Sequence, residues 1–106
     1  MNSFFLAEDD SIGMPAQVHA SHILVKNEEE AKEIIARIET GENFGAIARQ
    51  CSLCPSGKAG GDLGWFGKGS MVPDFEKACF SAEEGAIAGP VRTQFGWHVI
   101  QVLEIK

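Results

Sequence analysis

The side chains of this chain best suited to chemistry are two histidines and a cysteine. His22 lies in the run SHILVK near the start of the ordered pattern, and His98 lies in QFGWHVIQVL near its end. Between them runs CSLCPSGKAGGDLGWFGKGSMVPDF, whose Cys54 adds a thiol. Imidazole changes charge near neutral pH and serves as acid, base, hydrogen-bond switch or metal ligand. A thiol beside it makes a nucleophile pair or half of a zinc ligand set. These groups act together only if the fold lays the two ends of the chain side by side.

The elements that must do so are legible from periodicity. Residues 17–25 alternate and are rich in β-branched side chains, which predicts a strand with Val18, Ala20, His22 and Leu24 on one face. Asn27 is placed to cap a helix, with Glu30 three residues on as a capping-box partner and three glutamates in the first turn to suit the helix dipole. Ala31, Ile34, Ile35 and Ile38 form its apolar stripe, and Gly41 ends it. A second short helix is predicted over 44–51, with Phe44, Ile47, Ala48 and Cys51 at helical spacing, stopped by Pro55 and the glycines beyond. Residues 63–66 read as a short strand. Pro73 suits the first turn of a third helix with Val72, Phe75 and Cys79 inward. Residues 87–92 read as an edge strand, because Pro90 has no N–H to donate, and 97–105 as the clearest strand. That order predicts an α+β domain with a small mixed or antiparallel sheet. Residues 1–16 read as a flexible leader in which Phe4, Phe5 and Leu6 can dock on a surface, and 17–106 as the single domain.

Composition narrows the class of function. At 106 residues the chain fits one domain that buries a core without staples. A net charge of −6 disfavours nucleic acid and anionic membrane surfaces, both of which select basic faces. The first residues lack the basic start and long apolar core of a signal peptide, and no run is long enough to span a bilayer, so a cytoplasmic protein is expected. Three cysteines form no framework, so reduced thiols are expected. A monomer without metal or cofactor is the expected state.

Other motifs weaken on inspection. Cys51-Ser-Leu-Cys54 has redox-dithiol spacing, but it closes a helix, where the dipole gives a thiolate no help. With His22 and His98 it would complete a Cys2His2 zinc set, yet Cys51 falls on the apolar stripe of its helix. Cys51 and Cys79 read better as small core residues. His19 and His22 have odd spacing on a strand and so face opposite ways, leaving His19 as a surface residue. Gly67-Lys68 is followed by Gly69 where a phosphate loop needs Ser or Thr. The bland reading of His22 and His98, as structural strand residues, stays open on pattern alone.

Three runs in fixed order carry a resemblance: SHILVK, then FGAIARQCSLCPSGKAGGDLGWFGKGSMVPDFEKACF, then GPVRTQFGWHVIQVL. Together they resemble the parvulin family of peptidyl-prolyl cis/trans isomerases, over residues 18–106. The resemblance implies a parvulin-like (FKBP-like) α+β fold: a four-stranded antiparallel sheet surrounded by three to four helices, with the first and last strands adjacent in the centre. By motif position, His22 and His98 correspond to the family's paired histidines and Cys54 to its active-site cysteine. Thr93 corresponds to a hydroxyl residue bonded to that pair, and Leu63, Met71, Phe75 and Phe95 to the apolar proline pocket. Ser21 neighbours the set. The resemblance thus implies an isomerase acting without covalent chemistry on proline-containing segments and unfolded chains. The family's phosphate-directed branch carries a basic loop after the first strand. Here Lys26 is followed by Asn27, Glu28, Glu29 and Glu30, so no phosphoserine or phosphothreonine requirement is expected. A parvulin fold that holds extended segments without catalysis is the alternative.

Overall fold

The computed structural model describes residues 16–106. The leader and the expected docking of Phe4, Phe5 and Leu6 therefore lie outside the described residues. The elements run β1 (Gln17–Val25), α1 (Glu28–Glu39), α2 (Phe44–Cys51), a 3₁₀ helix (Pro55–Ala59), β2 (Asp62–Gly67), α3 (Pro73–Ser81), β3 (Ile87–Thr93) and β4 (Gly96–Ile105). The strands form one antiparallel sheet in the order β2-β1-β4-β3. The first and last strands are thus central partners, and Pro90 sits on an edge strand where the β3–β4 pairing is interrupted between Ala88 and Val91.

Alternation decides what each face of the sheet buries. Val18 and Ala20 of β1 join Ile100 and Val102 of β4 beneath α3, packed on Phe66, Phe75, Cys79 and Phe80. Ile23, Val25 and Val99 point the other way, against Ala31 and Ile34 of α1 and Phe44, Ile47 and Ala48 of α2. Both helices start on an asparagine: Asn27 Oδ1 accepts the Glu30 N–H at 2.9 Å, and Asn43 Oδ1 accepts the Ala46 N–H at 2.9 Å. The Asn43 cap and the 3₁₀ turn are the local features that apolar periodicity does not reveal, because neither depends on an apolar stripe. The Asn27 cap forms as predicted, but through the asparagine side chain; among the described hydrogen bonds the Glu30 carboxylate does not return the contact.

Candidate active site

The register of the two central strands places the histidines. His22 pairs across the ladder with Ile100, and His98 with Leu24. The imidazoles are therefore diagonal neighbours on one face, the separation at which long side chains on adjacent strands meet. Their rings stack with centroids 5.1 Å apart and 17° between planes, and the two Nδ1 atoms are 3.0 Å apart. Thr93 Oγ1 lies 2.7 Å from His98 Nε2 and accepts the Phe95 N–H at 3.1 Å. The result is a relay from the β3–β4 turn through His98 to His22. One proton lies between the two Nδ1 atoms in either direction of the relay, which excludes a doubly protonated pair and suits neutral rings. His22 Nε2 is buried without a protein partner among the described residues, which is unusual for a buried polar atom.

Burial reinforces that neutrality. It pushes the His22 imidazole down to about 4, with the charge of His98 adding to the effect, and burial also lowers His98. In the unfolded chain both titrate near 6.5. Between those values the native state binds fewer protons than the unfolded state, so this contribution is complete above pH 6.5 and is lost as pH falls toward 4. For His22 alone we expect about 2 kcal/mol of stability to disappear between pH 6.5 and 5, above the main carboxylate range. Urea denaturation of the wild type and His22→Gln at those two pH values checks this: the variant's stability should be the flatter, and equal slopes would contradict it.

A cleft of about 530 Å³ opens above the histidines. His22 and Leu24 of β1, Leu63 of β2, Phe75 of α3 and His98 of β4 line its inner part, and Leu53, Cys54, Pro55, Ser70, Met71, Val72 and Phe95 form its rim. Phe75 is the hinge between core and cleft. Its ring stands edge-on to both imidazoles, 5.5 Å from His22 and 5.1 Å from His98 between centroids, and packs on Phe66 behind. Cys54 is held at the mouth by backbone lacing. The Leu53 N–H donates to the Leu24 carbonyl at 2.8 Å, and Ser52 Oγ accepts from the Leu24 N–H at 3.1 Å and the Cys54 N–H at 3.3 Å. Gly57 then donates to the Cys54 carbonyl and closes the 3₁₀ turn.

The structure brings His22, Cys54, Leu63, Met71, Phe75, Phe95 and His98 to one cleft, with Thr93 behind it on the relay. Ser21 is buried on β1 but is not among the lining residues. Cys51 does not join them: it packs with Ile35, Ile38 and Trp97 against the cluster on the opposite face of the sheet, so the four residues of the zinc reading do not converge. Sequence reasoning missed Leu53, which is 57% exposed at the rim. Its only signal was its place beside Cys54. His19 faces away from the cleft and lies at the surface, as expected, where it bridges Asp62 (2.8 Å) and Glu104 (3.2 Å), with Trp65 against its ring. Strand spacing gives the direction a side chain points but not the carboxylates that neighbouring strands bring to it. Hydrogen bonds to Asp62 and then Glu104 raise the His19 pKa.

Comparison with known proteins agrees with this geometry. Residues 8–106 match the PPIC-type PPIase domain. The chain belongs to that family. Members of this family are peptidyl-prolyl cis/trans isomerases of the parvulin type, and the sheet and its helices match their fold. The domain is 46% identical over 89 residues to foldase protein PrsA of Geobacillus kaustophilus, covering 83% of this chain and 32% of that protein. The solution structure of the Nitrosopumilus maritimus parvulin superimposes with a TM-score of 0.78 at 38% identity, over 84% of this chain and 97% of that one. A structure reported for PEB4 and the periplasmic protein Cj1289, SurA-like chaperones of Campylobacter jejuni, gives 0.82 at 38% identity, over 96% of this chain and 44% of that one. The PPIase domain thus spans about a third of the length of its curated PrsA relative.

These relatives correct the expectation of a cytoplasmic protein. The curated relatives are PrsA foldases and SurA chaperones, and a SurA-like Campylobacter protein of this group is named as periplasmic. The expectation rested on what the first residues lack. An address signal is a separate segment from the domain that folds, so the composition of a PPIase domain carries no information about compartment.

Proposed function

We propose that the cleft grips the pyrrolidine ring of an X–Pro segment among Leu63, Met71, Phe75 and Phe95, and lowers the barrier to rotation about the preceding amide. The observation that carries this reading is the apolar cleft built directly on a neutral, hydrogen-bonded histidine pair. Amide resonance sets a barrier of about 18–20 kcal/mol. The twisted transition state has lost that resonance and separates less charge than the planar amide. An apolar, dehydrated wall therefore favours it over the ground state, which is selective transition-state binding without a covalent step. Neutral imidazoles suit this role, since a cation in the floor would favour the polar planar form. Cys54, at the mouth, is a polar neighbour of the rotating carbonyl, and Thr93 orients His98.

Likeness to foldases and chaperones supports unfolded, proline-containing chains as clients, and Lys26 followed by three exposed glutamates supports no need for phosphate before proline. Exposed Leu53 and Phe95 on the rim favour a second reading, a module that holds extended chains without turning them over. One assay separates the two. Exchange of a Leu-Pro peptide followed by NMR should be accelerated by folded protein. His22→Ala should lower that acceleration by about tenfold, the effect of losing one buried hydrogen-bonded partner, while Cys51→Ala should leave it unchanged. Binding without acceleration would establish the holding reading instead.

A further inference from the structure

Behind the rim of the cleft lies a second groove of about 320 Å³, lined by Ala48, Arg49, Ser52, Leu53, Cys54, Pro55, Gly57 and Lys58. It shares Leu53, Cys54 and Pro55 with the proline cleft, so the two are separated by a single ridge. Two cations stand in it, Arg49 and Lys58. Both are exposed, and among the described residues neither is within ion-pair distance of a carboxylate. In a chain of net charge −6, Lys32 and Arg37 are in ion pairs and Lys68, Arg92 and Lys106 lie over aromatic rings. Lys26 and Lys77 are likewise outside the described ion pairs, but Arg49 and Lys58 share one groove. The Arg49 guanidinium runs along backbone that carries no side chain: a Cβ on Gly60 or Gly45 would meet it at 3.2 and 3.6 Å. Those glycines leave room for the guanidinium beside the groove, whose lining Arg49 joins.

We propose that this groove is an acidic-residue subsite of the isomerase, taking a Glu or Asp side chain of the client on the N-terminal side of the X–Pro bond. The inference rests on the isomerase reading of the cleft. If the carbonyl before proline turns beside Cys54, the chain leading to it crosses the Leu53–Pro55 ridge. An extended chain advances about 3.3–3.6 Å per residue, so one or two residues carry it across. The carboxylate then meets the Arg49 and Lys58 side chains, while Leu53 packs on the apolar part of the backbone between. This subsite is separate from the loop after β1 in which a phosphate would be sought, and it reads a residue further from proline.

The test uses the full chain and a series of peptides with a common Leu-Pro core bearing Glu, Gln or Lys two residues before the leucine. The quantity read is the ratio of kcat/KM for the Glu peptide to that for the Lys peptide. We expect a ratio of about ten at low ionic strength, declining in roughly 0.5 M salt as exposed charges are screened. Arg49→Gln combined with Lys58→Gln should bring it to one, and Lys58→Glu, an exposed single change, should push it toward the Lys peptide. A wild-type ratio of one overturns the subsite, as does a ratio that the variants leave unchanged. A ratio that varies with protein concentration would assign the groove to a second copy of the chain and overturn it equally. Failure of the isomerase reading looks different: no member of the series, the Gln peptide included, would be turned over.

Discussion

Phe75→Ala is expected to lower kcat/KM for a Leu-Pro peptide about 100-fold and to cost about 3–4 kcal/mol of stability. No other side chain among the described residues is at once core, pocket wall and support for both histidines. Its ring packs on Phe66 within the α3-side core and stands edge-on to His22 and His98. Truncation opens a cavity that extends the cleft into the core, removes the wall against which the pyrrolidine ring would be pressed, and admits water to the histidine pair. The stability loss is the usual cost of emptying a phenylalanine site, and the activity loss follows because transition-state discrimination needs a dehydrated wall. Phe75→Leu separates the two effects. It preserves most of the volume at a cost below about 1.5 kcal/mol, yet removes the ring edge that meets the imidazoles, so its activity should still fall about tenfold. Thermal melts and NMR exchange on both variants give the answer. A folded Phe75→Ala protein with wild-type turnover would remove this cleft as the site of isomerisation.

Gly61→Ala should be the most damaging of the glycine substitutions, at about 3–5 kcal/mol, measured by urea denaturation. Gly61 has φ of +87°, and a Cβ there would run into the His22 carbonyl oxygen and lie 3.2 Å from the His22 nitrogen. The left-handed conformation costs an alanine about 1–2 kcal/mol. The remainder comes from the clash, which cannot relax without moving β1 at the histidine itself. The Gly61 carbonyl also accepts the His22 N–H at 2.9 Å, so that hydrogen bond is strained as the backbone gives way. Gly64 supplies the control. Its φ is +72°, but a Cβ added there would have nothing within 4 Å, so Gly64→Ala should cost only the conformational part, about 1–2 kcal/mol. Equal losses for the two variants would show that close approach to His22 is not what selects glycine at 61.

The two variants also mark where sequence reasoning succeeded and where it stopped. Phe75 was legible twice: helical spacing after Pro73 turned it inward, and the SMVPDF motif placed it in the pocket. The face shared by Val18, Ala20, His22 and Leu24 was legible because strand period is local and needs no partner. The antiparallel sheet with its first and last strands central followed from the resemblance, since alternation does not say which strands pair. Gly61 was one glycine among twelve. Its importance depends on the carbonyl of His22, far earlier in the chain.

The strands, the three α-helices and the family were thus legible before any fold was known. Apolar period, caps and breakers act over a few residues, and three long motifs in fixed order are specific enough to identify an isomerase domain. The β1–β4 register that puts Nδ1 against Nδ1, the bridge from His19 to Asp62 and Glu104, and the basic groove behind Leu53 became visible with the three-dimensional fold. Each of these depends on how segments distant in the chain come together. Such arrangements are set by strand register and by the packing of helices on the sheet, which no local pattern encodes.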